Sequence, residues 1–190
     1  SFDIGIAESN MVSVAAGMSK MGYIPVVDTF AAFGVTKGNL PMVMAALSEA
    51  PMIAVYSHAG FQDAADGASH QSLTYISAMS SIPHTKVVIP ASSEEAQELM
   101  VQAINEIELA RVEGRTGNSY IFFAGRENFE AKLSDNKAEL GKTEILKSGK
   151  DALIAACGPM VPKALEAAQM LKDMGHEVGV ANCHNVNFPD

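Results

Sequence analysis

Glu8 closes an otherwise apolar run, Asp3 to Met11 reading D-I-G-I-A-E-S-N-M, and is followed by Ser9, Asn10 and a Met/Val/Ala-rich segment. A run of this kind reads as a buried strand passing into a helix, which predicts Glu8 at a strand's carboxyl end. Ligands bind at that edge of an open α/β sheet, so a carboxylate there is placed for proton chemistry. The alternative is a glutamate that caps the helix or offsets its dipole. Two aromatic residues, Phe30 and Phe33, follow a second apolar run in T-F-A-A-F-G. The densest group of reactive side chains is the loop S-H-A-G-F-Q-D-A-A-D-G-A-S-H-Q from Ser57 to Gln71, with His58, Asp66 and His70. Histidine changes charge near neutral pH and suits proton transfer, and loops that follow buried strands are where function concentrates. Arg126 comes just after a further apolar run, Tyr120 to Ala124.

The elements that must position these groups alternate. Ser9 to Lys20 is apolar on nearly every face, which predicts a helix buried all round, stopped by Gly22. Ile24 to Thr29 reads as a strand with Pro25 at its start, Leu40 to Leu47 as a short helix and Met52 to Tyr56 as a buried strand. Gln71 to Met79 has a helical pattern, and Lys86 to Ile89 is a strand closed by Pro90. Ser92 and Glu95 form an S-x-x-E capping box opening a long helix to about Ala110, before the strand Tyr120 to Ala124. Strands separated by helices specify an α/β fold with a doubly wound, mostly parallel sheet. Residues 127–142 are polar and without period, and read as a linker. From Thr143 a second unit begins, with a strand at Leu153 to Ala156, a helix to Met174 stopped by Gly175, and a strand at Val178 to Ala181. That is the first βαβ unit of a second α/β domain. About forty residues cannot close a core of this type, so the chain is expected to be cut inside that domain.

With 190 residues, 48% hydrophobic and 18% charged, the chain has a globular, core-rich composition. The net charge of −9 and 13 scattered Lys and Arg argue against a nucleic-acid or acidic-membrane partner. Cys157 and Cys183 are too few and too far apart in sequence for a disulfide framework or metal site, and fit reduced, packed residues of a cytoplasmic protein. No apolar segment approaches membrane-spanning length, and the N-terminus lacks a signal-peptide layout.

Taken together, G-I-A-E-S-N-M at 5–11, T-F-A-A-F at 29–33, S-H at 57–58, D-G-A-S-H-Q at 66–71, I-P at 82–83, V-V-I-P-A at 87–91 and F-A-G-R at 123–126 resemble the transketolase family of thiamine-diphosphate enzymes. The resemblance implies a pyrimidine-binding domain fold over residues 1–135, missing its first elements. A linker at 136–142 and a truncated start of the C-terminal domain at 143–190 would follow. It implies that Glu8 hydrogen-bonds N1′ of the cofactor's aminopyrimidine, which requires an acid kept from full solvation. Phe30 and Phe33 would pack on the pyrimidine ring, although ordinary core packing is the usual fate of such residues. His58, Asp66 and His70 would contact sugar hydroxyls and assist proton transfers, and Arg126 would bind phosphate through its bidentate fork. Ala65 stands where the family commonly has an acid before D-G.

The G-D-G motif and following Asn that hold the family's diphosphate and Mg2+ do not occur in this sequence. The resemblance places that site on a separate N-terminal domain, so the chain is expected to share thiamine diphosphate with a partner domain or subunit and to be inactive alone. Mg2+ would be bound by the partner, in a homodimer or heterotetramer whose interface covers the apolar Ser9–Lys20 helix. The implied reaction is two-carbon ketol transfer between sugar phosphates of pentose-phosphate metabolism. The alternatives are a 1-deoxyxylulose-5-phosphate synthase, a 2-oxoacid dehydrogenase β subunit, or a non-catalytic partner module that keeps the fold.

Overall fold

Short apolar runs that alternate around two faces need a helical layer on each side, and that requirement accounts for the architecture in the computed structural model, which describes residues 1–126 and 133–190. In chain order the first unit runs α1 (Glu8–Lys20), β1 (Val26–Phe30), α2 (Ala31–Lys37), α3 (Asn39–Leu47), β2 (Ile53–Ser57), α4 (Tyr75–Ser80), β3 (Thr85–Val88), α5 (Ser93–Val112) and β4 (Ser119–Phe123). The strands form one parallel sheet in the order β1-β2-β4-β3. Alternate residues of each strand serve different cores, as the two-residue period of a strand demands. Val27, Ala54, Tyr56, Val87, Ile121 and Phe123 face Val12 and Ala15 of α1 and Met42 of α3. Ile53, Val88, Tyr120 and Phe122 face Leu99, Ala103 and Ile107 of α5. The doubly wound sheet expected from the sequence is present.

Residues 3–7 do not form the expected strand. Asp3 Oδ1 accepts the Gly5 N–H at 2.8 Å, and Ala7 N donates to Gly5 O at 2.9 Å, so local turn bonds replace a ladder. Ile6 is 99% exposed, and Glu8 opens α1 directly instead of ending a strand. Helix α1 is also not buried all round. It packs on β1, α2 and α3 through Val12, Ala15 and Ser19, while Val14 on its other side is 42% exposed.

The second unit contains β5 (Glu144–Lys147), β6 (Ala152–Ala156), α6 (Met160–Asp173) and β7 (Val178–Asn182). Its sheet order is β5-β7-β6, with β6 and β7 parallel and β5 antiparallel to β7. The βαβ unit forms as expected, and β5 is an addition that the sequence reading left inside the stretch after the linker. Of that proposed linker, residues 127–132 lie outside the described residues. Cys157 and Cys183 follow the ends of β6 and β7, and both are free and partly buried. Burial pushes the Cys157 thiol up, and Cys183 nearby adds to the shift.

Close packing around Tyr56, which is fully buried beneath α2, gives a direct test of this core. A Cβ on Gly34 would fall 2.6 Å from the Tyr56 ring. Gly34→Ala is therefore expected to destabilise the chain by about 1–3 kcal/mol, read as a lowered Tm in thermal denaturation. An unchanged Tm would show that the ring can move aside.

Candidate active site

Three chain segments converge at the carboxyl ends of β1, β2 and β4. Phe30 ends β1 and caps α2, which places Phe33 one helical turn on, with the two rings 6.2 Å apart and inclined by 15°. Phe30 pairs with Ser57 across the sheet, so His58 emerges just beyond it. His58 holds a left-handed backbone conformation, φ 58°, that turns its ring back onto Phe30 at a centroid distance of 3.8 Å.

The loop then leaves the sheet and returns. Gly60 and Ser72 bond to each other through both backbone N–H groups, at 2.9 and 3.2 Å, and close a neck beneath residues 61–71. His70, two residues before the neck closes, meets Phe33 edge-on at 5.0 Å and Phe30 at 6.2 Å. Phe30, Phe33, His58 and His70 thus form one ring cluster.

Each imidazole is oriented by its own neighbour. His58 Nδ1 lies 2.9 Å from Ser57 Oγ and His70 Nδ1 lies 3.0 Å from Ser69 Oγ. Neither Nε2 has a hydrogen-bond partner among the described residues, so both remain able to exchange a proton with a ligand.

Glu8 is half-buried at the first position of α1, where unpaired helix N–H groups favour an anion. That helix end is tied to the end of α2 by Ser9 Oγ donating to Lys37 O at 2.6 Å. The Glu8 carboxylate has no hydrogen-bond partner among the described residues.

Of the two acids in the loop, Asp66 is exposed and makes no side-chain contact with the other candidates among the described residues. Asp63, which the sequence reading did not single out, is fully buried. Its Oδ1 accepts from Arg126 Nη1 at 3.2 Å, while Gln62 Oε1 accepts from Arg126 N at 3.1 Å. Arg126 is therefore not a free guanidinium after a strand; its side chain is 42% exposed and held by an acid from the histidine loop. The available signal was an acid beside Gln62 in a loop already rich in polar groups, but sequence alone did not distinguish an inward Asp63 from an outward Asp66.

Among the described residues no three His, Cys, Asp or Glu side chains converge to hold a metal ion, and no helix is long and apolar enough to cross a membrane.

Residues 1–111 match the transketolase pyrimidine-binding domain and residues 141–190 match the transketolase C-terminal domain. A 1-deoxy-D-xylulose-5-phosphate synthase of Dictyoglomus thermophilum is 33% identical over 95% of the chain and 28% of its own length. A 6-deoxy-6-sulfo-D-fructose transketolase subunit, SqwH, of a Clostridium species is 31% identical over 97% of the chain and 55% of its own length. Among solved structures, a split-gene transketolase described as an inactive β4 tetramer superposes with a TM-score of 0.78 at 32% identity, over 97% of the chain and 57% of that protein. A transketolase of Campylobacter jejuni shares the fold, with a TM-score of 0.86 at 20% identity, over 98% of the chain and 28% of that protein. The chain thus spans between about a quarter and a little over half of the relatives it matches.

Proposed function

Because the chain belongs to the transketolase family of thiamine-diphosphate enzymes, we propose that it supplies the aminopyrimidine-activating half of a ketol-transferase active site. The observation that carries this reading is the meeting of Phe30, Phe33, His58 and His70 at adjoining strand ends. The residues fit that half of the cofactor. A flat ring finds aromatic surface at Phe30 and Phe33, and the uncommitted Glu8 carboxylate can accept or share a proton with a ring nitrogen.

Thiamine diphosphate, when bound, supplies the electron sink for breaking and making the carbon–carbon bond. The chain's own residues orient it and move protons. Glu8 holds a proton at N1′, and His58 and His70, each fixed through Nδ1, offer Nε2 to the sugar hydroxyls. Asp66 stands on the same loop, exposed to an incoming sugar. Arg126 binds the far end of the sugar.

The diphosphate and its Mg2+ belong to a partner domain or subunit, in a homodimer or heterotetramer that acts on sugar phosphates in the cytoplasm. The relatives described as a transketolase subunit and as a split-gene transketolase support such a partner. Within this reading residues 1–135 are the pyrimidine-binding domain, 136–142 the linker and 143–190 the opening of the C-terminal domain.

The test is co-expression with a partner carrying the diphosphate-binding domain, followed by a ketol-transfer assay with thiamine diphosphate and Mg2+. Transfer from ketose to aldose is the expected result, and a complex that assembles without activity would favour a non-catalytic module. The 33% identity to 1-deoxy-D-xylulose-5-phosphate synthase supports a second reading, in which the donor is a 2-oxoacid. Turnover with a 2-oxoacid and none with a ketose would select it. Arg126→Lys is expected to raise KM for phosphorylated sugars by about tenfold and for unphosphorylated sugars little, because Lys lacks the bidentate fork. Equal effects on both would remove the contact with the sugar terminus.

A further inference from the structure

Asp63 takes no part in the ring cluster, yet it is fully buried and its second oxygen, Oδ2, has no partner among the described residues. Its first oxygen meets Arg126 Nη1 at 3.2 Å. The contact is held from both sides. Gln62 Oε1 accepts from the Arg126 backbone N–H, and Gly125 admits Gln62 so closely that a Cβ there would fall 1.7 Å from Gln62 Oε1. The pair Gln62–Asp63 of the histidine loop and the pair Gly125–Arg126 just past β4 are therefore locked together.

A carboxylate beside a guanidinium cancels its charge locally, and burial keeps water from screening the carboxylate. The remaining N–H groups of Arg126 can still donate hydrogen bonds to an anion, but with little net positive charge behind them. A first negative charge on a ligand is matched by the exposed part of the guanidinium; a second is opposed by the field of the buried Asp63 carboxylate behind it.

We propose that Asp63 is the charge-selecting residue of this site, setting Arg126 to receive a sugar terminus that carries one negative charge in preference to a phosphate dianion. The inference rests on Arg126 facing the sugar terminus, as read above. A phosphate ester carries between one and two charges near neutral pH, with a second ionisation at about pH 6, whereas a sulfonate carries one at any working pH.

The experiment uses the full chain with its diphosphate-binding partner, thiamine diphosphate and Mg2+, and three ketose donors of one carbon skeleton ending in hydroxyl, sulfonate or phosphate. The wild-type complex is expected to use the sulfonate about tenfold better in kcat/KM than the phosphate at pH 8. Its KM for the phosphate should fall as pH drops through about 6, while KM for the sulfonate stays level. Asp63→Asn should lower KM for the phosphate by about tenfold, with kcat and the hydroxyl donor little changed.

A wild-type KM for the phosphate that stays level with pH, relative to the sulfonate, would overturn the proposal without needing any variant to fold. So would an Asp63→Asn complex whose KM rises equally for sulfonate and phosphate, which would make Asp63 only a support for Arg126. If Arg126→Lys left the order of the three donors untouched, the contact between Arg126 and the terminus would itself be wrong, and the proposal would fall with that reading. An effect of Arg126→Lys with none from Asp63→Asn would overturn the proposal alone.

Discussion

Glu8→Gln is expected to lower ketol transfer in the reconstituted complex by a factor on the order of 10² to 10⁴, the range that a positioned proton-transfer group contributes. Glutamine keeps the size and one acceptor oxygen but cannot hold a titrating proton, so cofactor binding should suffer less than turnover. The fold should hardly register the change. Glu8 is half-buried, makes no side-chain hydrogen bond among the described residues, and sits in the first turn of α1. Its favourable interaction with that helix end is worth about 0.3–1 kcal/mol, which moves Tm by no more than a few degrees. Kinetic assay beside thermal denaturation separates the two roles. Intact activity with a lowered Tm would make Glu8 a helix-end residue and nothing more.

Glu95→Ala is expected to destabilise the chain by about 3–5 kcal/mol, because it removes one side of a buried polar junction. Glu95 Oε2 accepts from Ala91 N at 2.5 Å, and Oε1 accepts from Asn182 Nδ2 at 2.7 Å. His184 Nδ1 lies 2.8 Å from the same Oε1, within ion-pair range though off the line of a straight hydrogen bond. One carboxylate therefore joins the start of α5 in the first unit to β7 and the segment after it in the second. His184 is buried, and burial alone would disfavour its protonated form. The Glu95 carboxylate held against the ring opposes burial, and with the Glu139 carbonyl and the Glu144 charge it raises the histidine above its ordinary value of 6.5. A raised folded-state value means that protonation stabilises the fold. That stabilisation is fully present below pH 6.5 and is lost as pH rises through the raised value. Tm measured against pH should fall across that window in the wild type and lose this component in His184→Gln. A Tm that rises across the window would contradict the assignment.

What was legible in the sequence is what depends on local pattern. The runs at Ile24–Thr29, Met52–Tyr56, Lys86–Ile89 and Tyr120–Ala124 became β1 to β4; the inner strands β2 and β4 are almost wholly apolar, as a parallel strand covered on both faces must be, while the edge strands β1 and β3 carry Asp28 and Lys86. The capping box was half right. Ser92 Oγ accepts from Glu95 N, but the Glu95 side chain turns to Ala91 and to the second unit, and a local motif carries no information about a partner 87 positions away. Asp3 to Ala7 has the composition of a strand, but a strand also needs a neighbour to bond, and here Asp3 bonds Gly5 instead. Helix α1 is apolar on more faces than the described residues cover, so its composition overstated its burial. The meeting of the aromatic and histidine rings was legible because Phe30 and His58 lie at adjoining strand ends; the contact that was missed, Asp63 with Arg126, joins residues 63 positions apart.

The neck between Gly60 and Ser72 is made only of backbone hydrogen bonds. The loop is therefore gathered at its base without any side chain of residues 61–71, and its side chains are left for contacts above the sheet. Gln62 and Asp63 engage Arg126, His70 meets Phe30 and Phe33, and Asp66 stays exposed. Exposed positions such as Asp66 can change without disturbing the closure, whereas a change at Asp63 or His70 reaches the site itself.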